Sequence, residues 1–113
     1  MHELSLAEAM LDIIKDQAKQ ENFSKVTNVV LEIGTLSHVE ADAMRFCFDA
    51  VVAETLAEGS RLEIERIPAK GKCLNCKKNS SMKTLYDPCE YCGEFGLELI
   101  EGNQLRIRHL EVQ

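Results

Sequence analysis

Two pairs of cysteines constrain the fold of this chain more than any other feature of its sequence. Each pair has the spacing C-x2-C and twelve residues separate the pairs, which are Cys73 with Cys76 and Cys89 with Cys92. Four thiolates at this spacing are typical of a closed tetrahedral Zn²⁺ site, in which no coordination position stays open for water or substrate. The spacing therefore predicts a structural zinc ribbon. Because so short a segment cannot bury enough apolar area alone, its folding should be coupled to zinc.

Two other uses of these cysteines are disfavoured. A pair of disulfides is typical of small secreted domains, but the N-terminus lacks the regions of an export signal, and the rest of the chain can build its own core. A redox site is disfavoured because neither pair stands at the start of a helix that follows a strand. We therefore expect a cytoplasmic, reducing setting, and no membrane span, since no apolar run approaches the ~20 residues that a span needs.

The charge of the chain is negative and unevenly distributed. Its 113 residues, enough for one modest core and a small appendage, carry a formal net charge of −6. This charge opposes general binding to nucleic acid or acidic membranes. Residues 69–92 are basic, however, because five lysines there stand against Asp87 and Glu90. This basic segment is either a docking surface or, more simply, a solvated face. The lysines are Lys70, Lys72, Lys77, Lys78 and Lys83.

Two helices and two strands are expected before the cysteine segment. A capping box at residues 5–8 predicts a helix that fades near residues 20–22, and a second box at 37–40 predicts a helix that stops at Gly59. Runs of β-branched and aliphatic residues predict strands at 26–33 and 61–67. Helical spacing gives each helix one core-facing side. The expected core residues are Leu6, Ala9, Met10, Ile13, Ile14 and Ala18, then Ala43, Phe46, Cys47, Ala50 and Val51.

The end of the chain alternates between apolar and polar residues at 95–99 and 105–112, with a Gly-Asn turn between. This alternation predicts either a terminal hairpin or a return of the last strand into the first sheet. The order of elements favours an α+β fold: a three-stranded sheet with two helices on one face, plus an inserted four-cysteine zinc ribbon. The expected domains are residues 1–68, completed by a strand at 103–113, and the ribbon at 69–102.

The first residues of the chain are a candidate for a second metal site. The α-amine of Met1, the amide nitrogen of His2 and the His2 imidazole can close two chelate rings around one ion, and Glu3 or a group from elsewhere can complete four donors. Such a planar nitrogen set suits Ni²⁺ or Cu²⁺ rather than Zn²⁺. Its nitrogens must lose protons, so affinity should collapse in acid. On spacing alone, His2 is more simply a flexible, solvated residue, although the nearby capping box ties the terminus to ordered structure.

These motifs occur together in one known family. Met1-His2-Glu3 begins the chain, residues 29–34 read Val-x-Leu-x-Ile-Gly, and residues 57–59 form an Ala-Glu-Gly turn. The C-x2-C-x12-C-x2-C segment and a closing Leu-x-Ile strand follow. Over its whole length the chain resembles the HypA/HybF family of nickel-insertion proteins for NiFe-hydrogenase maturation. The joint presence of the Met-His-Glu start and the four-cysteine ribbon makes this resemblance specific.

The resemblance implies a nickel metallochaperone rather than an enzyme. It implies that Met1, His2 and Glu3 hold a transient nickel ion in a planar site, and that the four cysteines hold a structural zinc. Nickel would be passed on with help from the accessory GTPase HypB and inserted into the hydrogenase large subunit. In some species the family also serves urease. We further expect a monomer or homodimer, with no nucleic-acid and no membrane partner.

Four further residues have simple structural interpretations. His38 is expected to be a surface or cap-region histidine and His109 a half-exposed strand histidine. Cys47 is expected to be a buried small apolar residue and not a fifth ligand. The family places an acidic residue near the nickel terminus, and Glu40 matches that description, but its position in the second capping box explains it equally well.

Two other classes of function stay open. A nucleic-acid-binding zinc ribbon is supported by the basic segment at 69–92, but the acidic remainder and the scarcity of aromatic residues (no Trp, two Tyr and four Phe) oppose it. The other class is a structural adaptor in an enzyme complex. Stoichiometric Ni²⁺ binding that is lost in His2→Ala would exclude an adaptor.

Overall fold

The computed structural model describes the backbone from residue 2 to residue 113 and the side chains from Glu3 onward. The predicted nickel ligands Met1 and the His2 imidazole therefore lie outside the described residues. The described chain forms two helices and six strands in two three-stranded sheets, ordered β2-β1-β6 and β4-β3-β5, so the expected α+β class is confirmed. The elements are α1 (His2–Glu21), β1 (Val26–Gly34), α2 (Ala41–Val52), β2 (Arg61–Ile67), β3 (Ala69–Cys73), β4 (Asn79–Met82), β5 (Leu97–Glu101) and β6 (Leu105–Val112).

The chain divides into two compact units. The first, which we call the helical unit, comprises residues up to 31, residues 39–64 and residues 107–113. The second, the cysteine unit, comprises residues 32–38 and 65–106. The domain boundaries expected from the sequence stay a prediction, because compactness does not test whether either part folds alone.

The core of the helical unit is formed by β1 and the apolar sides of both helices. Val29 and Leu31 are fully buried, since β1 is the middle strand of its sheet. The two helices contact each other, and their side chains Ile14 and Phe48 are also fully buried. The strands expected at 26–33 and 61–67 are confirmed as β1 and β2. Of the two alternatives for the last strand, the return into the first sheet is correct, because β6 pairs with β1.

Helix α1 begins earlier than the sequence predicted. It starts at His2 and not at Ser5, and Glu3 places a carboxylate in its first turn, where it complements the positive end of the helix dipole. Ile13, expected in the core, is half exposed. Neither helix in the described part of the chain is long and apolar enough to cross a membrane.

Helix α2 is shorter than predicted, and the side that faces the core is not the one expected from the sequence. It begins after Glu40, whose carboxylate accepts a hydrogen bond from the N–H of Ala43 at 2.7 Å and caps the helix. It ends at Val52 because irregular turns occupy the chain from there to Gly59. Phe46 was expected in the core, but it is 77% exposed.

The cysteine unit is built on β3, the middle strand of the second sheet. β3 pairs antiparallel with β4 and β5, and in this register Gly71 lies opposite both Ser80 and Leu99. Alternate residues of β3 are buried, namely Ala69, Gly71 and Cys73. The strand expected from the alternation at residues 95–99 is present as β5, which begins at Leu97. β3 and β4 had no separate prediction, because their short polar sequences carry no strand pattern.

Two glycines allow three segments of the cysteine unit to approach closely. A Cβ atom at Gly34 would lie 2.1 Å from the carbonyl carbon of Gly102. A Cβ atom at Gly102, where φ is +121°, would lie 2.4 Å from the Cα atom of Ala69. The ends of β1 and β5 and the start of β3 can therefore meet only because these two positions lack side chains.

Candidate metal centre

The sulfurs of the four predicted zinc ligands meet at one point in the cysteine unit. All four Sγ atoms lie within 4.8 Å of one another. The Cys73 and Cys92 sulfurs are 3.6 Å apart and those of Cys76 and Cys89 are 3.7 Å apart. These distances are too long for disulfides, and all four cysteines are free. A tetrahedral site with Zn–S bonds of ~2.3 Å separates its sulfurs by ~3.8 Å, so donor set and spacing both fit Zn²⁺.

The same backbone turn presents both pairs of sulfurs. In the first knuckle, residues 73–78, the N–H of Lys77 donates to the carbonyl of Cys73 at 2.9 Å. In the second knuckle, residues 89–94, the N–H of Gly93 donates to the carbonyl of Cys89 at 2.9 Å. Lys77 and Gly93 both have positive φ, at 67° and 75°. The C-x2-C spacing therefore produces two equivalent loops whose sulfurs converge.

Backbone N–H groups and burial set the pKa values of the thiols. The N–H of Cys76 donates to the Cys73 sulfur at 3.4 Å and lowers the pKa of Cys73 to about 6. Burial raises the pKa of Cys89, but the backbone N–H groups of its own knuckle and the neighbouring sulfurs together outweigh burial, so its pKa is lowered. The N–H of Lys78 lowers the pKa of Cys76, but burial and the neighbouring sulfurs together raise it to about 11. Because a thiol binds zinc as the thiolate, metal binding to this set must release the protons that its thiols carry.

The second knuckle is fastened to β4 by a reciprocal pair of hydrogen bonds. The N–H of Glu90 donates to the hydroxyl oxygen of buried Ser80 at 3.0 Å, and that hydroxyl donates to the Glu90 carboxylate at 3.2 Å. The N–H of Ser81 also donates to this carboxylate and lowers the pKa of Glu90. The hydrogen bonds to the ionised Glu90 carboxylate therefore stabilise the fold at pH values above the ordinary pKa of glutamate. This stabilisation is lost as the pH falls through the lowered pKa of Glu90.

The start of α1 lies beside the start of α2 within the helical unit. The Glu3 carboxylate accepts a hydrogen bond from the backbone N–H of Glu40 at 3.3 Å. The Glu40 carboxylate in turn caps α2 through the N–H of Ala43. Glu3, the third predicted nickel ligand, is therefore held by ordered structure. Glu40 is itself the N-cap residue of α2 and not the fourth residue of a capping box that begins at Ser37.

The remaining candidate residues do not join the sulfur cluster. His38 and His109 are both exposed, and among the described residues the four cysteines alone form a group able to hold a metal. Cys47 is buried in α2, which confirms its expected role as a small apolar residue.

Residues other than the four cysteines support the sulfurs, and the sequence did not predict them. Asn75 donates from its side chain to the Cys92 sulfur at 3.7 Å. Ser80 and Glu90 hold the second knuckle against β4. The available signal was the presence of Asn75 and Glu90 inside the two C-x2-C loops, where a polar side chain is within reach of sulfur or of a neighbouring strand.

Known proteins resemble this chain in sequence and in fold. The sequence model of a family described as "Hydrogenase/urease nickel incorporation, metallochaperone, hypA" matches residues 1–112. The chain is 48% identical over 112 residues to the hydrogenase maturation factor HypA of Rhodopseudomonas palustris (strain BisA53), and 99% of each chain is covered. It is 42% identical over 113 residues to that of Azotobacter chroococcum mcd 1, with 100% of each covered.

A solved structure has a similar fold. It is the solution structure of the Ni metallochaperone HypA from Helicobacter pylori, with a TM-score of 0.71 and 24% identity. The match covers 97% of this chain and 96% of that one. At this identity the likeness is one of fold.

Proposed function

Because this chain belongs to the HypA family of metallochaperones for nickel incorporation, we propose that it binds Ni²⁺ at its N-terminus and delivers the ion to the large subunit of a NiFe-hydrogenase. The family match carries this proposal, since it spans residues 1–112 and so includes both the N-terminal motif and the cysteines. A metallochaperone binds and releases its metal without turnover, in agreement with the expectation of a binding protein rather than an enzyme.

The proposed nickel ligands are the first three residues. The α-amine of Met1, the amide nitrogen and imidazole of His2, and Glu3 form a donor set that suits planar Ni²⁺ coordination. The start of α1 at His2 supports this assignment, because the first four N–H groups of a helix have no acceptor within the helix. The amide nitrogens of His2 and Glu3 can therefore bind a metal without breaking a helical hydrogen bond.

The contact between Glu3 and Glu40 supports Glu3 as a nickel ligand. The N–H of Glu40 donates to the Glu3 carboxylate at 3.3 Å, so this proposed ligand already has a place in the fold. A ligand that is already placed loses less conformational entropy when the metal binds. An ion held by few ligands can also be passed on by ligand exchange.

We assign a structural zinc to Cys73, Cys76, Cys89 and Cys92. A bound zinc cross-links the two knuckles and leaves no open coordination position. The sulfur spacing of 3.6 to 3.7 Å supports this assignment. Sulfur donors thus retain zinc permanently, while nitrogen donors at the chain end hold nickel transiently.

The proposed partners follow from the resemblance. They are the accessory GTPase HypB and the hydrogenase large subunit, with urease as a second recipient. We place this activity in the cytoplasm, where thiols stay reduced.

Nickel titration of the untagged protein tests the proposal. The wild-type chain should bind one Ni²⁺, and His2→Ala should lose more than about 100-fold in affinity, because the imidazole and its chelate ring are gone. A chain extended by two residues before Met1 should lose a similar amount, since the primary amine is displaced. Zinc content, measured in the same samples, should stay at one ion per chain.

The control for this experiment is His109→Ala, which removes an exposed histidine from β6 and should leave nickel affinity unchanged. Tight Ni²⁺ binding by the extended chain would show that the amine is not a ligand. Nickel that spectroscopy finds among the thiolates would refute the N-terminal site. A wild-type chain without nickel affinity would favour the adaptor interpretation.

A further inference from the structure

We propose that Cys92 is a site of oxidation by hydroperoxides, and that Cys73 then forms a disulfide with it and displaces the structural zinc. The inference rests on the zinc part of the proposed function and is independent of the nickel site. Three features of the cysteine unit carry it: the exposure of the four cysteine residues, the hydrogen-bond donors to their sulfurs and the pairing of those sulfurs.

Exposure distinguishes Cys92 from the other ligands. Cys73 is 0% exposed and Cys89 is 2% exposed, Cys76 is half-buried, and Cys92 is exposed. A cysteine bound to a metal is deprotonated. The four sulfurs share that property in the zinc-loaded protein. Since oxidation follows thiolate character and exposure together, exposure decides which sulfur reacts first, and that sulfur is Cys92.

The hydrogen bonds to the sulfurs also favour Cys92 as the first cysteine to be oxidised. The first cysteine of each knuckle accepts from a backbone N–H at 3.4 Å, Cys73 from that of Cys76 and Cys89 from that of Tyr91. Cys92 accepts at 3.7 Å from the side chain of Asn75, an exposed residue. A donor of this kind lowers the nucleophilicity of sulfur. Asn75 therefore restrains Cys92, and it does so more weakly than a backbone donor.

A short sulfur–sulfur contact selects the second cysteine. All four sulfurs lie within 4.8 Å of one another, and the two contacts of 3.6 and 3.7 Å, Cys73 with Cys92 and Cys76 with Cys89, both join one knuckle to the other. A disulfide requires an approach to ~2.05 Å. Oxidation should therefore link the two knuckles and should not close a disulfide within one of them.

The reaction balances with a hydroperoxide as the oxidant. The Cys92 sulfur attacks one oxygen of the hydroperoxide, so that an S–O bond forms, the O–O bond breaks, and the leaving oxygen takes a proton. The Cys73 sulfur then attacks the sulfenic sulfur of Cys92. An S–S bond forms, the S–O bond breaks, and the hydroxide that leaves takes a second proton to become water. Two electrons pass from the two thiolates to the hydroperoxide.

Loss of the zinc follows from the loss of its donors. The disulfide removes two of the four thiolates, and two remaining sulfurs do not make a closed tetrahedral site. The disulfide would keep the two knuckles joined after the metal has left, so the oxidised cysteine unit would be cross-linked and free of zinc.

Peptide mapping of the oxidised protein tests the proposal. Zinc-loaded protein is treated with limiting hydrogen peroxide, zinc release is followed with a chromophoric chelator, and the remaining thiols are alkylated before digestion with trypsin. Cleavage at lysine and arginine places Cys73 and Cys76 in peptide 73–77, and Cys89 and Cys92 in peptide 84–106. Zinc release should keep pace with one disulfide that joins these two peptides, and fragmentation should locate it at Cys73 and Cys92.

Two variants sharpen the test. Asn75→Ala removes the donor to the Cys92 sulfur and should raise the rate of oxidation about fivefold, the kinetic equivalent of one modest hydrogen bond. Asn79→Ala is the matched control, because it changes an exposed asparagine of β4 and should oxidise at the wild-type rate. Equal rates in the two variants would overturn the role of Asn75.

Other products would overturn the proposal itself. A disulfide confined to either tryptic peptide would refute the pairing, and a first sulfenic acid trapped on Cys73 with dimedone would refute the order of reaction. Zinc content is measured before oxidation, so that the two proposals can be separated. A chain that holds no zinc would remove the zinc site and this inference with it, whereas normal zinc content with the wrong disulfide would overturn this inference alone.

Discussion

At the scale of single residues, Gly102 is a position of the cysteine unit where two separate effects oppose a side chain. Backbone strain at φ of +121° and the 2.4 Å approach to Ala69 both oppose a Cβ atom there. Gly102→Ala should therefore lower the free energy of unfolding by about 3 kcal/mol, as measured by urea denaturation. Gly93→Ala is the matched control. It also has positive φ, at +75°, but nothing lies within 4 Å of its Cβ position, so it should cost about 1 kcal/mol.

Equal losses in the two glycine variants would show that the approach to Ala69 contributes nothing beyond backbone strain. A loss at Gly93 larger than that at Gly102 would contradict the packing of the three segments. In either case zinc content should be measured, because a change in bound metal also changes the apparent stability.

Residues also differ in how far the sequence predicts their role. The four cysteines could be identified because a knuckle depends on local spacing, and that spacing is visible without any knowledge of the fold. The bond between Ser80 and Glu90 could not be predicted, because it joins residues ten positions apart, across a loop, with no periodic pattern. The same holds for Asn75, whose partner Cys92 belongs to the other knuckle.

At the scale of elements, the start of α2 depends on Glu40. Glu40→Ala removes the acceptor for the N–H of Ala43 and should cost about 1 kcal/mol, which lowers the Tm by about 5 °C in thermal unfolding. Asp42→Ala is the control. Its exposed carboxylate contacts Arg45 at 3.9 Å, and a surface pair of this kind contributes little. A drop in Tm for Asp42→Ala as large as that for Glu40→Ala would show that helix charge, and not the cap, sets the start of α2.

The start of α2 was mispredicted because Ser37 belongs to a turn and not to the helix. Ser37 fits the capping-box pattern, but its N–H donates to the carbonyl of Gly34 at 3.0 Å in the turn after β1. Glu40 therefore caps α2 alone. The core side of α2 was also mispredicted, because its sequence has apolar residues on two sides. Phe46 and Phe48 both fit a helical pattern, and packing with the rest of the core selects Phe48.

At the scale of the whole molecule, the two units should depend differently on metal. Cys73→Ala removes one donor, so zinc should be lost and the cysteine unit should unfold, while the helical unit keeps its own core around Phe48. Metal analysis and hydrogen exchange measure the two effects separately. Cys47→Ala is the control, because it changes a buried cysteine of the helical unit and should leave zinc bound. Zinc content that is unchanged in Cys73→Ala would contradict the assigned ligand set.

The α+β class of the whole molecule could be predicted, since helical and strand patterns alternate clearly along the chain. The partner of the last strand could not be selected, because the alternation at 105–112 is equally compatible with a hairpin and with pairing to β1. That choice is decided by contacts between β1 and β6, which are far apart in the sequence and therefore produce no local pattern.

The pairing of β6 with β1 has a consequence for biosynthesis. The middle strand of the first sheet, β1, is translated well before its neighbour β6, and the cysteine unit contributes most of the chain between them. Every cysteine of the chain emerges before that neighbour does. The β1 edge that pairs with β6 therefore stays open until the segment from residue 105 onward has been made, and only then can the three-stranded sheet be completed.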